Sequence, residues 1–91
     1  MTYLKVSWNH SKPTYPVVFY SELDENRWEV RKVEVFANGR YKRAGANNPN
    51  NMNELGEVPT PTLEQIASDA QFSPLEITKE QFQLMWEMCD M

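Results

Sequence analysis

The stretch that decides the fold is WEVRKVEVFANGRYKRA, residues 28–44. Its first part is rich in β-branched and aromatic residues, which favour an extended strand. The dipeptide Asn38-Gly39 then interrupts the run, and it tolerates positive φ at both central positions of a type I′ turn, which is typical of a hairpin. The segment therefore predicts a strand over residues 28–37, a tight turn and a partner strand over residues 40–44.

Two more extended runs precede this hairpin. Residues 3–8 alternate between apolar and polar side chains, and residues 17–23 are again β-branched and aromatic. Within the third run the apolar phase changes, because Val30 faces one way and Val33 and Val35 face the other; this predicts a bulge, or a strand half buried on both sides. The first half of the chain thus predicts an antiparallel meander of about four strands.

Composition changes after the predicted meander. Residues 45–57 are rich in asparagine, which predicts a long exposed loop that is either functional or merely flexible. Capping boxes at Thr62 and Thr78 then open two amphipathic helices. The predicted fold class is α+β: an antiparallel sheet of about four strands with the two C-terminal helices packed on one face. The predicted core consists of large apolar side chains from both parts: Leu4, Val6, Trp8, Phe19, Val33, Val35, Ile66, Phe82 and Trp86.

Composition also bounds the class of protein. The chain is 41% apolar and 24% charged, which is ordinary for a globular protein, and its length predicts that residues 1–91 form a single domain. The single cysteine, Cys89, makes neither an internal disulfide nor a zinc site by itself. The sequence shows no signal-peptide pattern and no apolar run of membrane-spanning length. We therefore expect a cytoplasmic protein without membrane contact.

Candidate catalytic residues are few. His10 is the only histidine and lies in a polar loop, where a solvated or hydrogen-bonded imidazole is the common case. Cys89 falls on the apolar stripe of the second predicted helix, which is typical of a buried, inert thiol. The three glycines form no phosphate-binding pattern. We expect a protein that acts by binding a partner, with no enzyme activity, no cofactor and no metal site.

Charge is unevenly distributed along the chain. Residues 1–45 hold eight basic and five acidic residues, or +3, whereas residues 46–91 hold one basic and eight acidic residues, or −7. The acidic half favours a basic partner. The basic hairpin over residues 31–43 supports an alternative, a nucleic-acid-binding or regulatory module, although the pI of about 4.9 counts against nucleic acid. That alternative relies on five cations: Arg31, Lys32, Arg40, Lys42 and Arg43.

Several segments of the chain, taken together, resemble a known family. They are residues 3–8, 16–24, 29–36 with Gly39, 55–61, and 77–82 with Trp86. This set resembles the DUF6881 family of small bacterial proteins, and its most specific segments are EVRKVE and LGEVP. The likeness covers nearly the whole chain except the asparagine-rich loop. The family supplies no established catalytic residues to transfer.

The resemblance implies a function by context. Small acidic bacterial proteins of this kind are often immunity proteins, which bind and inhibit a cognate toxin delivered by a neighbouring cell. Many such toxins are basic nucleases, which an acidic protein would complement. The predicted partner-binding residues are four acids and one aromatic anchor: Glu54, Glu57, Asp69, Glu76 and Tyr15. The protein is expected to be a monomer or a weak dimer, since exposed strand edges invite pairing.

Overall fold

The computed structural model describes residues 1–45, 55 and 58–88. Its elements, in chain order, are strands β1 (Thr2–Trp8), β2 (Pro16–Leu23), β3 (Glu29–Phe36) and β4 (Tyr41–Gly45), helix α1 (Leu63–Ala67), strand β5 (Phe72–Ile77) and helix α2 (Lys79–Met88). The strands form one antiparallel sheet in the order β4-β3-β2-β1-β5. The meander over the first half of the chain and the α+β fold class are confirmed.

Strand β5 is the element that the sequence pattern does not predict. It pairs with β1 from Tyr3 opposite Ile77 to Trp8 opposite Phe72, so the described sheet has five strands rather than four. The segment contains Pro74, which lacks an N–H and argues against a central strand. Because β5 is an edge strand, a proline N that points away from β1 leaves no ladder hydrogen bond unmade.

The two helices lie on opposite faces of the sheet. Helix α2 packs Phe82 against Tyr3 of β1. Val6 stands three positions further along β1, so it faces the other side, where it borders a cleft together with Phe19 and Ile66 of α1. The prediction that both helices pack on one face is therefore wrong. The reason is β5, which lies between the two helices in the chain and at the edge of the sheet. The chain therefore passes from one face of the sheet to the other at this edge.

The core beneath α2 is small and aromatic. Phe82 and Val33 are fully buried, and Tyr3 retains only 7% exposure. Ile77 and Trp86 pack against this cluster. Of the predicted core residues, three are buried: Leu4, Val33 and Phe82. The remaining six are partly buried: Val6, Trp8, Phe19, Val35, Ile66 and Trp86.

Reciprocal capping boxes begin both helices, as predicted. The backbone N–H of Gln65 donates to Thr62 Oγ1 at 3.2 Å, and the N–H of Thr62 donates to Gln65 Oε1 at 2.9 Å. The same two bonds join Thr78 and Gln81, at 3.1 and 2.8 Å. Each box satisfies two backbone N–H groups that a helix start would otherwise leave without partners.

The β3–β4 hairpin is confirmed, but its turn is not the predicted type I′. Gly39 has a φ of +86°, whereas the φ of Asn38 is not positive. The Gly39 N–H donates to the Phe36 carbonyl at 2.9 Å, and the Arg40 N–H donates to Asn38 Oδ1 at 3.0 Å. The connection is therefore a three-residue loop in which the glycine takes the left-handed position.

Two features restrict position 45, the last residue of β4, to glycine. Its φ is +96°, and a Cβ there would collide with the Val30 carbonyl oxygen and lie 3.2 Å from Arg31 Cα. We predict that Gly45→Ala lowers the free energy of unfolding by about 2 kcal/mol in urea denaturation. Gly39→Ala is the matched control: its φ is +86° in open space. It should cost about 1 kcal/mol from backbone strain alone; equal losses would contradict the collision.

Candidate functional site

An open cleft lies between α1 and the sheet face opposite α2. Its volume is about 330 Å³, at the small end of the range for ligand pockets. The cleft is mainly apolar, with walls formed by Val6, Phe19, Pro61, Ile66 and Phe72. Its polar lining consists of Ser21, Glu29, Gln65 and Asp69. Few polar groups on apolar walls are the usual composition of a binding site.

A cluster of aromatic rings continues the cleft onto the surface. The Trp8 ring centroid lies 6.0 Å from that of Phe19 and 5.7 Å from that of Phe72, in stacked geometry. Tyr15 and His10 flank the same indole at 5.8 and 4.3 Å. Because Phe19 and Phe72 also line the cleft, the ring cluster and the cleft form one surface. We call the five rings of this cluster the aromatic face.

His10 holds the loop that carries Tyr15. Its Nδ1 accepts a hydrogen bond from the Lys12 N–H at 3.0 Å, so the proton lies on Nε2, which donates to the Pro16 carbonyl at 2.8 Å. The Lys12 ammonium lies 5.6 Å from the centroid of the Tyr15 ring. Tyr15 nevertheless remains 46% exposed. The imidazole thus holds the loop in a shape that presents the tyrosine at the border of the aromatic face.

Arg27 connects the β2–β3 hairpin to the outer wall of the cleft, which Pro61 and α1 form. Its Nε donates to the Thr60 carbonyl at 2.8 Å and its Nη2 to the Pro61 carbonyl at 2.6 Å, while the Thr60 N–H donates back to the Arg27 carbonyl at 2.7 Å. Arg27 also has a φ of +66°, an uncommon conformation for a residue other than glycine. The three hydrogen bonds hold Arg27 in this strained conformation and position Pro61, from which the chain enters α1.

The predicted partner-binding residues do not all lie in the described part of the chain. Tyr15 belongs to the aromatic face, and Asp69 lines the cleft. Glu76 is exposed on β5 and lies opposite Leu4 of β1, whose side chain faces the cleft side of the sheet. Glu54 and Glu57, with most of the predicted loop 45–57, lie outside the described residues. The three predicted residues that the structure describes therefore lie on one side of the sheet.

The outer wall of the cleft lies within residues 58–78 and is acidic. Residues 58–78 carry three acidic and no basic side chains: Glu64, Asp69 and Glu76. Glu29 adds a carboxylate from the sheet, and its Oε2 accepts a hydrogen bond from Ser21 Oγ at 3.0 Å. Sequence reasoning missed Glu29 and the cleft itself, because both depend on α1 lying opposite α2.

The other face of the sheet carries a buried ionic network. Arg31 Nε and Nη2 donate to the two carboxylate oxygens of Glu22 at 2.6 and 3.0 Å. The Tyr3 hydroxyl donates to Glu22 Oε2 at 2.9 Å. The same guanidinium lies 4.9 Å from the Phe82 ring centroid and 4.8 Å from that of Trp86. Arg31 therefore joins α2 to the sheet, which is a structural role.

The network shifts two pKa values in opposite directions. Burial would raise the pKa of Glu22, but hydrogen bonds from Arg31 and Tyr3 outweigh burial and hold the pKa below its ordinary 4.5. Burial, followed by the hydrogen bond to Glu22, raises the pKa of Tyr3 above its ordinary 10.0. Glu22 is thus ionised and Tyr3 neutral at pH 7, which is the pairing that the observed hydrogen bonds require.

The cations of the basic hairpin are divided between the two faces. Arg31 and Arg43 lie on the α2 side, where Arg43 stacks 4.5 Å from the Trp86 ring centroid and donates to the Trp86 carbonyl at 3.1 Å. Lys32 faces the opposite side, with its Nζ 3.8 Å from Glu34. These side chains therefore do not line a single groove, and nucleic-acid binding stays a prediction.

The fold and the site define a small α+β protein with a partly exposed aromatic face beside an acid-lined cleft. In the part of the chain that the structure describes, neither helix is long and apolar enough to cross a membrane. The chain belongs to the DUF6881 family, a domain of unknown function, whose family model matches residues 2–90. The resemblance seen in the sequence is therefore confirmed. Comparisons with curated proteins and with solved structures found no match.

Proposed function

We propose that the chain is a cytoplasmic immunity protein that binds a basic toxin domain through the aromatic face and thereby blocks the toxin. The observation that carries this proposal is a union of two features on one side of the sheet: the aromatic face and the acidic wall of residues 58–78. Protein interfaces combine aromatic residues at their centre with a polar rim. A nuclease fits as the toxin, because its active-site cleft must be basic to hold a phosphate backbone.

The rings and the acids have different roles in the proposed interface. Tyr15 and Trp8 are the contact anchors, since large rigid rings contribute contact area at a low cost in conformational entropy. Asp69 and Glu76 lie outside the ring cluster and are exposed. Rim charges act mainly on the rate of encounter and on the choice of partner. The proposal therefore assigns affinity to the rings and association rate to the acids.

The test is binding to the C-terminal domain of the large protein encoded directly beside this one, by calorimetry and stopped-flow at two salt concentrations. We expect nanomolar 1:1 binding whose association rate falls as salt rises. The double variant Asp69→Lys/Glu76→Lys should slow association by about tenfold or more. Tyr15→Ala should raise Kd by about thirtyfold, the effect of losing a central aromatic anchor.

The matched control is the double variant Glu80→Lys/Glu87→Lys, which makes the same change in net charge on α2, on the other side of the sheet. It should leave the association rate close to that of the unmodified protein. Absence of binding would reject this partner, and the basic hairpin would then be tested with a nucleic-acid gel shift. Equal slowing by Glu80→Lys/Glu87→Lys would show that overall charge, rather than the acidic wall, governs encounter.

A further inference from the structure

We propose that the cleft is a specificity pocket for one cationic side chain of the partner, an arginine or a lysine. This inference rests on the proposed function and names the chemical group that the same site would recognise. The observation behind it is the lining of the cleft, which combines apolar walls, two aromatic rings and two carboxylates.

The walls suit the stem of a long cationic side chain. The cleft is lined by Phe19 of β2, Phe72 of β5 and Ile66 of α1. The methylene groups of arginine and lysine pack along apolar surface while the charged end stays near polar groups. The faces of Phe19 and Phe72 also attract a cation within about 6 Å of their centroids. A volume of about 330 Å³ is large enough for one such side chain.

The carboxylates suit the charged end. Glu29 and Asp69 both line the cleft, whose described lining includes no basic side chain. Each carboxylate is oriented by a bond from its own chain: Ser21 Oγ donates to Glu29 at 3.0 Å, and the Gln71 N–H donates to Asp69 at 2.9 Å. A carboxylate has about four acceptor positions, so a group that already accepts hydrogen bonds from its own chain can still accept a further donor. A neutral side chain would partly desolvate both carboxylates without offering them a charged donor.

The same chemistry already holds an arginine elsewhere in this chain. On the α2 side, the Arg31 guanidinium meets the Glu22 carboxylate at 2.6 Å and lies 4.9 and 4.8 Å from the ring centroids of Phe82 and Trp86. That site is filled from within the chain. The cleft presents a similar set of rings and carboxylates to an incoming partner, in a more open setting.

The test uses a small probe, so that it does not depend on the toxin. The full chain is titrated with n-butylguanidinium and followed by amide NMR, with the neutral isostere n-butylurea as the comparison. We expect saturable shifts at Ser21, Ile66, Asp69 and Phe72 with a midpoint of a few millimolar, an affinity of the order expected for a fragment. Butylurea should bind at least about tenfold more weakly, because it lacks the charge.

Variants separate the pocket from the rest of the surface. Asp69→Asn/Glu29→Gln should abolish the preference for butylguanidinium, whereas Glu87→Gln, on α2, should leave it unchanged. Equal binding of butylurea, or no saturable shift with either probe, would overturn the pocket but not the immunity function. Toxin binding that survives Asp69→Asn/Glu29→Gln unchanged would also overturn the pocket. Butylguanidinium binding without toxin binding would support the pocket's chemistry and reject the proposed function instead.

Discussion

Replacing Phe82 by alanine is expected to lower the free energy of unfolding by about 3–5 kcal/mol, the range for truncating a buried phenylalanine. Phe82 is completely buried, and its ring centroid lies 5.5 Å from Tyr3 and 6.3 Å from Trp86. Its removal leaves a cavity at the only contact that α2 makes through a fully buried side chain in the described residues. It also removes one of the rings against which Arg31 packs.

The size of this loss matters because a domain of this length has little stability to lose. Net stabilities of small domains are about 5–15 kcal/mol, so the Phe82 side chain supplies a large fraction. Urea denaturation followed by tryptophan fluorescence measures the change. An unchanged dependence on urea concentration would show that the unfolded state is not altered.

Leu84→Ala is the matched control on the same helix. Leu84 is 60% exposed, so its truncation should change the free energy of unfolding by less than about 0.5 kcal/mol. A loss as large as that of Phe82→Ala would mean that α2 packs through a different side. The comparison therefore tests the orientation of the helix as well as the worth of one ring.

The elements that sequence reasoning predicted are those set by local chemistry. The capping boxes at Thr62 and Thr78 need only residues three apart in the chain, and both are present. The hairpin at Gly39 likewise follows from one residue that accepts positive φ. The change of phase beside Val30 is visible in the sequence as well, and it coincides with a register shift between β2 and β3 that leaves Val30 as the extra residue.

The features that sequence reasoning missed depend on distant contacts. Strand β5 contains Pro74 and becomes a strand only because it pairs with β1, about 70 residues earlier in the chain. The side on which α1 lies follows from β5, and so does the cleft. Tyr15 and Asp69 could be chosen as exposed aromatic and acidic residues, but nothing local shows that they share a side of the sheet with Glu29.

Breaking the buried ion pair between Arg31 and Glu22 is the other change expected to reduce stability strongly. Arg31→Met is expected to lower the free energy of unfolding by about 3–5 kcal/mol at pH 7, because it leaves the Glu22 carboxylate buried without its cation. The side chains of Arg31 and Glu22 are only 14% and 9% exposed, so solvent screens the pair weakly. Tyr3 alone would then donate to the carboxylate, and burial would raise the Glu22 pKa in the variant.

The sign of the pH dependence follows from these opposite shifts. In the unmodified protein the Glu22 pKa is lowered, so its contribution is present above the ordinary value of 4.5 and is lost as pH falls through the folded-state pKa. In Arg31→Met the pKa is raised, so protonation of Glu22 relieves the buried charge and favours the folded variant. The difference in unfolding free energy between the two proteins should therefore shrink between pH 7 and pH 3, as measured by urea denaturation across that range.

Lys32→Met provides the control from the neighbouring position of β3. Its ammonium lies 3.8 Å from Glu34, and the two side chains are 14% and 15% exposed, so this pair is about as buried as Arg31–Glu22 but is longer and is not bidentate. The loss in Lys32→Met should be smaller, and should vary less with pH, than the loss in Arg31→Met. If the two variants lost equal stability, or if the Arg31→Met deficit stayed constant down to pH 3, Glu22 and Arg31 would not form the ionised buried pair that joins α2 to the sheet.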